Sequence, residues 1–222
     1  MNGHGPARTT AGTATDETAL RTTLLDTLRA MGAARLNVGT AGNASVRRDG
    51  GDMLITPSGV PAERCRPEDM AVVAADGSRR GALAPSSEWQ LHRDIYAAFP
   101  AAGAVLHAHA PFATALACQR QEIPPFHYMI ARFGGSTVRC ARYATFGTQA
   151  LSDATTAALQ DRNACLLANH GMVVFGRDLE HALALAIEFE TLCEQYWRTL
   201  QIGTPVLLSA AEMDEVIERF RW

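Results

Sequence analysis

Two histidines one residue apart, His107 and His109, close the apolar run Val105-Leu106-His107-Ala108-His109. On an extended strand side chains alternate between faces, so both imidazoles point one way and Ala108 the other. A third histidine, His170, follows a second apolar run, Cys165-Leu166-Leu167-Ala168, in the same manner. Three imidazoles at strand ends suit a catalytic metal, because three nitrogen ligands leave a fourth position open for water or substrate. A His-x-His pair by itself is more often ordinary polar surface, so the reading depends on what else converges there.

A carboxylate is available for that purpose. Pro85-Ser86-Ser87-Glu88 precedes Trp89, His92, Ile95, Tyr96 and Phe99, an apolar face at spacings of three and four that ends at Pro100. At the start of this helix Glu88 either ligates the metal or moves a proton, or it simply caps the helix behind Ser86 or Ser87. The two serines have the same double reading, as anion ligands at a helix N-terminus or as caps. Gly39-Thr40-Ala41-Gly42-Asn43 and Thr56-Pro57-Ser58-Gly59 offer backbone N–H groups beside hydroxyl or amide side chains, which is either a small anion site or a pair of turns. No Gly-x-x-x-x-Gly-Lys or Gly-x-Gly-x-x-Gly occurs, so a bound phosphate would belong to a small molecule rather than a nucleotide. Among the other histidines, His92 shares its helix face with Trp89 and Tyr96 and reads as packed or hydrogen-bonded, His181 flanks a later helix, and His4 lies near the start. Tyr128, in His127-Tyr128-Met129, either reaches a site as an acid or packs.

The elements that must hold these residues follow from periodicity. Residues 1–15 are rich in Gly, Thr and Ala without apolar spacing and are expected to form a flexible tail, with one domain over residues 16–222. Leu20, Leu24, Leu28 and Met31 then predict a helix capped by Asp16 and stopped at Gly32. Short strands are expected at residues 45–47, 53–55 and 70–73, between turns. A helix is expected over 112–119 after Pro111, strands over 137–141, 164–168 and 172–175, and helices over 151–159 and 179–200, the last capped by Asp178. Helices interspersed with short strands indicate an α/β domain.

Composition excludes several classes. The 222 residues are 47% hydrophobic and 19% charged with a formal net charge of -3, enough apolar content for one large core and no broad basic surface for nucleic acid. The start lacks a basic segment followed by an apolar one and no run approaches membrane-spanning length, so no membrane association and a cytoplasmic location are expected. Five scattered cysteines form no Cys-x-x-Cys pair and are read as reduced core thiols.

Taken in order, these segments resemble the class II aldolase/adducin family from about residue 20 to residue 220. The landmarks are Leu36-Asn37-Val38-Gly39-Thr40-Ala41-Gly42-Asn43-Ala44-Ser45, Leu54-Ile55-Thr56-Pro57-Ser58-Gly59, Pro85-Ser86-Ser87-Glu88, His107-Ala108-His109, His127-Tyr128-Met129-Ile130, Tyr143-Ala144-Thr145-Phe146-Gly147-Thr148 and Asn169-His170-Gly171. The resemblance implies a single α/β/α domain around a largely antiparallel sheet, assembled as a homotetramer with sites between subunits. It implies one Zn(II) per subunit on His107, His109 and His170, donors that suit other divalent metals as well, with Glu88 as acid/base and at times a further ligand. By motif position Asn43, Ser58, Gly59, Ser86 and Ser87 bind the substrate phosphate, and Tyr128 acts across a subunit boundary.

The implied reaction cleaves a ketose 1-phosphate into dihydroxyacetone phosphate and an aldehyde. Metal in place of a Schiff-base lysine agrees with a chain that contains no lysine. L-fuculose 1-phosphate and 5-methylthioribulose or 5-deoxyribulose 1-phosphate are both substrates within the family. Its fuculose enzymes carry a functional tyrosine in a C-terminal tail, whereas this sequence ends Phe220-Arg221-Trp222, which leaves the aldehyde half open. A pentulose-phosphate 4-epimerase is the first alternative, although such epimerases typically have aspartate where Glu88 stands. A methylthioribulose-1-phosphate dehydratase and a metal-free, adducin-like interaction domain are the others.

Overall fold

The computed structural model describes residues 11–220. Eight strands form one sheet: β1 (Asn43–Arg47), β2 (Met53–Ile55), β3 (Ala71–Val73), β4 (Arg79–Arg80), β5 (Ala104–Ala108), β6 (Cys140–Ala141), β7 (Ala164–Leu167) and β8 (Gly171–Gly176). Their order is β4-β3-β2-β1-β5-β8-β7-β6, and every pair is antiparallel except β6 with β7. Six helices cover it: α1 (Ala11–Ala33), α2 (Trp89–Ala98), α3 (Pro111–Ala117), α4 (Gln149–Ala158), α5 (Leu179–Ile202) and α6 (Ala210–Arg219).

Period-two alternation divides the core into two layers. Ala104, Leu106 and Ala108 of β5 and Met172 and Val174 of β8 pack with Leu24, Met31, Leu185 and Phe189 of α1 and α5. Val105 of β5 and Val173 and Phe175 of β8 face the opposite way, toward Leu91 and Ile95 of α2 and Leu151 of α4. A sheet buried on both faces between helix layers is the expected α/β/α domain. The same parity sends His107 toward the α2 layer.

Three local features differ from expectation. The first helix runs upstream to Ala11, so Asp16 lies inside it and not at its cap, and residues 11–15 are helical and not part of a tail. No proline after Pro6 interrupts that extension. Residues 1–10, with His4, lie outside the described residues. Of the strand expected over 137–141 only Cys140–Ala141 pairs with β7, while Val138 makes an isolated bridge to Ile123. Finally, α6 was not anticipated, although its signal is present: Ser209 and Glu212 form a capping box, and Met213 buries itself in the core.

Candidate active site

The three histidines converge because two antiparallel strands end together. β5 carries His107 opposite Val173 of β8, and the β7–β8 turn places His170 beside the end of β5. Asn169 in that turn is left-handed, with φ 53°, and Gly171 lies so close to β5 that a Cβ there would sit 2.3 Å from the Ala108 carbonyl oxygen. Glycine is therefore required for the approach that brings His170 to His107. The imidazole rings stand as a three-bladed propeller, with centroids 4.7–4.9 Å apart and planes 70–76° from one another. One ligating nitrogen from each lies within 4.8 Å of the others.

Tautomers follow from the partners. The Met172 carbonyl can only accept, so Nδ1–H of His107 donates to it at 3.0 Å and Nε2 is turned into the site. There Nε2 meets His109 Nε2 at 3.0 Å and Glu88 Oε2 at 3.1 Å. His109 is aimed by its backbone N–H, which donates to Asn37 Oδ1 at 3.1 Å. Burial first, and then His107, push the His170 imidazole down to about 4, and the same causes lower His109. Neutral imidazoles are the form that ligates metal.

Glu88 occupies the cap position of α2 without acting as its cap. Ser86 Oγ accepts from the Glu88 backbone N–H at 3.3 Å, which frees the carboxylate to turn inward. Oε2 accepts from Asn43 Nδ2 at 3.0 Å, while Oε1 lies 3.4 Å from His170 Nε2 and, although buried, has no hydrogen-bond partner. Burial opposes ionisation here, but His107, His170 and Asn43 outweigh it and hold the carboxyl well below the ordinary carboxylate range. A carboxylate oxygen and imidazole lone pairs this close repel unless a proton or a cation lies between them. In tetrahedral Zn(II) geometry ligating nitrogens are about 3.3 Å apart, so the donor set and its spacing fit a divalent metal.

A cavity of about 380 Å³ opens beside this cluster, lined by Glu88, His109 and His170 and by all five expected phosphate residues, Asn43, Ser58, Gly59, Ser86 and Ser87. Ser58 N donates to Ala84 O and Ser86 N to Thr56 O, both at 3.0 Å, clamping the two segments side by side. The Gly59 and Ser87 amides and the Ser58 and Ser87 hydroxyls make no hydrogen bond among the described residues. Asn43 differs from these four: its amide is engaged by Glu88 and by His92, which leaves one N–H. Tyr128 does not line the cavity; it is 49% exposed and rests against His127.

The pattern of this site has relatives. The family described as Class II Aldolase and Adducin N-terminal domain matches residues 22–197. This chain belongs to that family. A 5-methylthioribulose-1-phosphate/5-deoxyribulose-1-phosphate aldolase of Rhodospirillum rubrum is 52% identical over 203 residues, 91% of each chain. An L-fuculose phosphate aldolase of Escherichia coli is 44% identical over 199 residues, 89% of this chain and 92% of the relative. A solved L-fuculose 1-phosphate aldolase superposes with a TM-score of 0.88 at 35% identity, covering 92% of this chain and 97% of its own. Membership and these relatives together make the protein a class II aldolase.

Within this class II aldolase, sequence reasoning did not single out as site residues the cavity-lining Tyr143 and Phe146, which are 57% and 64% exposed. Both lie in the Tyr143-to-Thr148 landmark, where an aromatic residue on either side of Ala144-Thr145 was the available signal. Asn37 was likewise quoted only as part of a motif. It supports His109, and its side chain fills the space beside Gly42, where a Cβ would lie 2.2 Å from Asn37 Oδ1.

Proposed function

We propose that this protein cleaves a ketose 1-phosphate between C3 and C4, releasing dihydroxyacetone phosphate and an aldehyde, with one Zn(II) per subunit on His107, His109 and His170. The observation that carries the reading is the buried, unpartnered Oε1 of Glu88, which faces His170 in the cavity that also holds Ser58, Ser86 and Ser87. His107, His109 and His170 would hold a divalent ion, which would supply a Lewis acid for the negative charge that develops on the C2 oxygen as the bond breaks.

The chain's own groups do the rest. Phosphate is assigned to the Ser58 and Ser87 hydroxyls and the Gly59 and Ser87 amides, donors with no internal partner. The O4 proton leaves as the aldehyde forms, and the electron pair of the C3–C4 bond passes to the C2–C3 unit. Protonation at C3 then completes dihydroxyacetone phosphate. That proton is assigned to Glu88, whose carboxyl His107, His170 and Asn43 hold below the ordinary range, in keeping with its removing the same proton in the synthetic direction. Tyr128, taken from a neighbouring subunit of a homotetramer, would serve O4. That assembly agrees with its exposure and with its absence from the cavity of its own chain.

The aldehyde half is assigned to the rim of Tyr143, Ala144 and Phe146, whose apolar faces favour a methylthio or deoxy terminus over a polyhydroxy one. No helix among the described residues is long and apolar enough to cross a membrane, and the five cysteines are free, in keeping with a cytoplasmic enzyme. The deciding experiment incubates purified enzyme with L-fuculose, L-rhamnulose, 5-deoxyribulose and 5-methylthioribulose 1-phosphates and measures dihydroxyacetone phosphate. Release from the two 5-substituted ribuloses is expected to be fastest. Release from none of the four would overturn the reading.

A further inference from the structure

Behind Glu88 a line of buried polar side chains continues into the core. Asn43 Nδ2 donates to Glu88, and Asn43 Oδ1 is bonded to His92 Nε2. His92 Nδ1 lies 2.7 Å from Ser45 Oγ, and Ser45 Oγ lies 2.8 Å from the Tyr96 hydroxyl. His92 and Ser45 are fully buried, with Asn43 and Tyr96 nearly so, and none of His92, Ser45 and Tyr96 lines the cavity.

The line exists because two periods match. Glu88, His92 and Tyr96 recur every four residues along α2, a rise of about 6 Å per step. Asn43, Ser45 and Arg47 recur every second residue along β1, about 6.8 Å per step. The helix face and the strand face therefore interlock side chain by side chain, ending where Arg47 lies over the Tyr96 ring at 4.8 Å.

Hydrogen-bond chemistry gives this line one direction. Asn43 Nδ2 donates to Glu88 Oε2, so Asn43 Oδ1 is the atom that faces His92. Oδ1 can only accept, so the His92 proton is on Nε2. Burial, reinforced by His107, pushes His92 down to about 3, so its other nitrogen is bare and accepts from Ser45 O–H. Ser45 Oγ in turn accepts from Tyr96 O–H.

We propose that His92 is a positioning residue of the reaction: by locking the Asn43 amide it holds Glu88 by Oε2 and leaves Oε1 as the oxygen that exchanges the proton with substrate carbon. This rests on the aldolase reading above. Without the Nε2–H donor the Asn43 amide is free to rotate by a half turn, presenting Oδ1 to a carboxylate that it repels. Glu88 then loses its fixed rotamer, while the metal ligands and the phosphate donors keep their own supports.

The test compares His92→Phe, which keeps a ring but no donor, with His92→Gln, which retains an N–H near the Nε2 position. Expected for His92→Phe is a fall of about 10–100-fold in kcat and in the exchange of the dihydroxyacetone phosphate C3 hydrogen with solvent, with KM and bound metal unchanged. His92→Gln is expected to recover most of both. Ser45→Ala, which removes the donor to His92 Nδ1, provides a smaller loss in the same two readouts should His92→Phe fail to fold. Independently of catalysis, 15N NMR of the metal-free wild-type protein should show His92 neutral with its proton on Nε2.

A His92 proton on Nδ1, or kcat and exchange at wild-type levels in the variants, would overturn the proposal, as would a rise in KM alone. Should the wild-type protein neither cleave nor exchange, the aldolase reading fails, while the NMR result still judges the hydrogen-bonded line.

Discussion

The two walls of the cavity are built differently. On one side Glu88 and Asn43 are buried and come from a helix start and a central strand, joined to one another by a hydrogen bond and backed by the buried His107 of a second strand. On the other, Tyr143 and Phe146 stand more than half exposed on a segment outside helix and strand. Under the proposed function the reacting carbons would meet the buried wall and the variable aldehyde group the exposed one. Chemistry can then stay fixed while substrate preference changes.

The largest effect should come from removing the metal centre. Chelation, or His170→Ala, is expected to strip bound metal and lower turnover by more than about a hundredfold, beyond the range for supporting residues, as read by metal analysis alongside activity. Full activity of metal-free protein would make the rigid wall a mere scaffold. Next, Glu88→Gln should keep the metal but slow C3 hydrogen exchange by about 10²–10⁴-fold. Unchanged exchange would assign the proton to another group.

A smaller effect concerns stability. His92 titrates at about 3 when folded against 6.5 in the unfolded chain, so between those values the unfolded state binds the extra proton. Its neutral burial stabilises fully above pH 6.5, and that contribution is lost as pH falls toward 3. His107 and Glu88 are the titratable neighbours that act on it, the first lowering and the second raising it. Metal-free wild-type protein should therefore lose stability on acidification more steeply than metal-free His92→Gln, by about 1.4 kcal/mol per pH unit, in denaturant titrations. Equal slopes would mean that His92 is not held neutral. The smallest effect should be at the rim. Phe146→Ala is expected to alter the ratio of kcat/KM between 5-deoxyribulose and L-fuculose 1-phosphates by about tenfold while changing stability by less than about 0.5 kcal/mol. A large loss of stability there would erase the contrast between the walls.

The rigid wall was also the more legible one. His107 and His109 announce a shared face through strand parity alone, and Ser86-Ser87-Glu88 announces a helix start through its position before an apolar face. The role of Glu88 was not legible locally, because a capping glutamate and a turned-in carboxylate look alike in sequence. Ser86 takes over the backbone N–H and releases it. His92 read as a packed or hydrogen-bonded side chain, and its partners were not legible because Asn43 and Ser45 lie 49 and 47 residues away. Only the pairing of a helical period with a strand period brings them together. The early start of α1 escaped because Asp16 is an acceptable cap by residue type, and tertiary packing does not require the helix to begin there. Tyr143 and Phe146 carry no periodic signal, since they lie outside helix and strand and stay more than half exposed.

The alternation along β5 also bears on how this chain can vary in length. Leu106 faces the α1/α5 layer and His107 the opposite one, so inserting a single residue between Ala104 and His107 would exchange their faces. The site would receive a leucine, and an imidazole would enter an apolar layer. By contrast, the turn between β1 and β2, with Gly50 and Gly51 both at positive φ, lies away from the cavity. Insertions and deletions should therefore be tolerated at residues 48–52 and rejected at 104–108, which makes reading frame along one strand, as much as residue identity, a condition for activity.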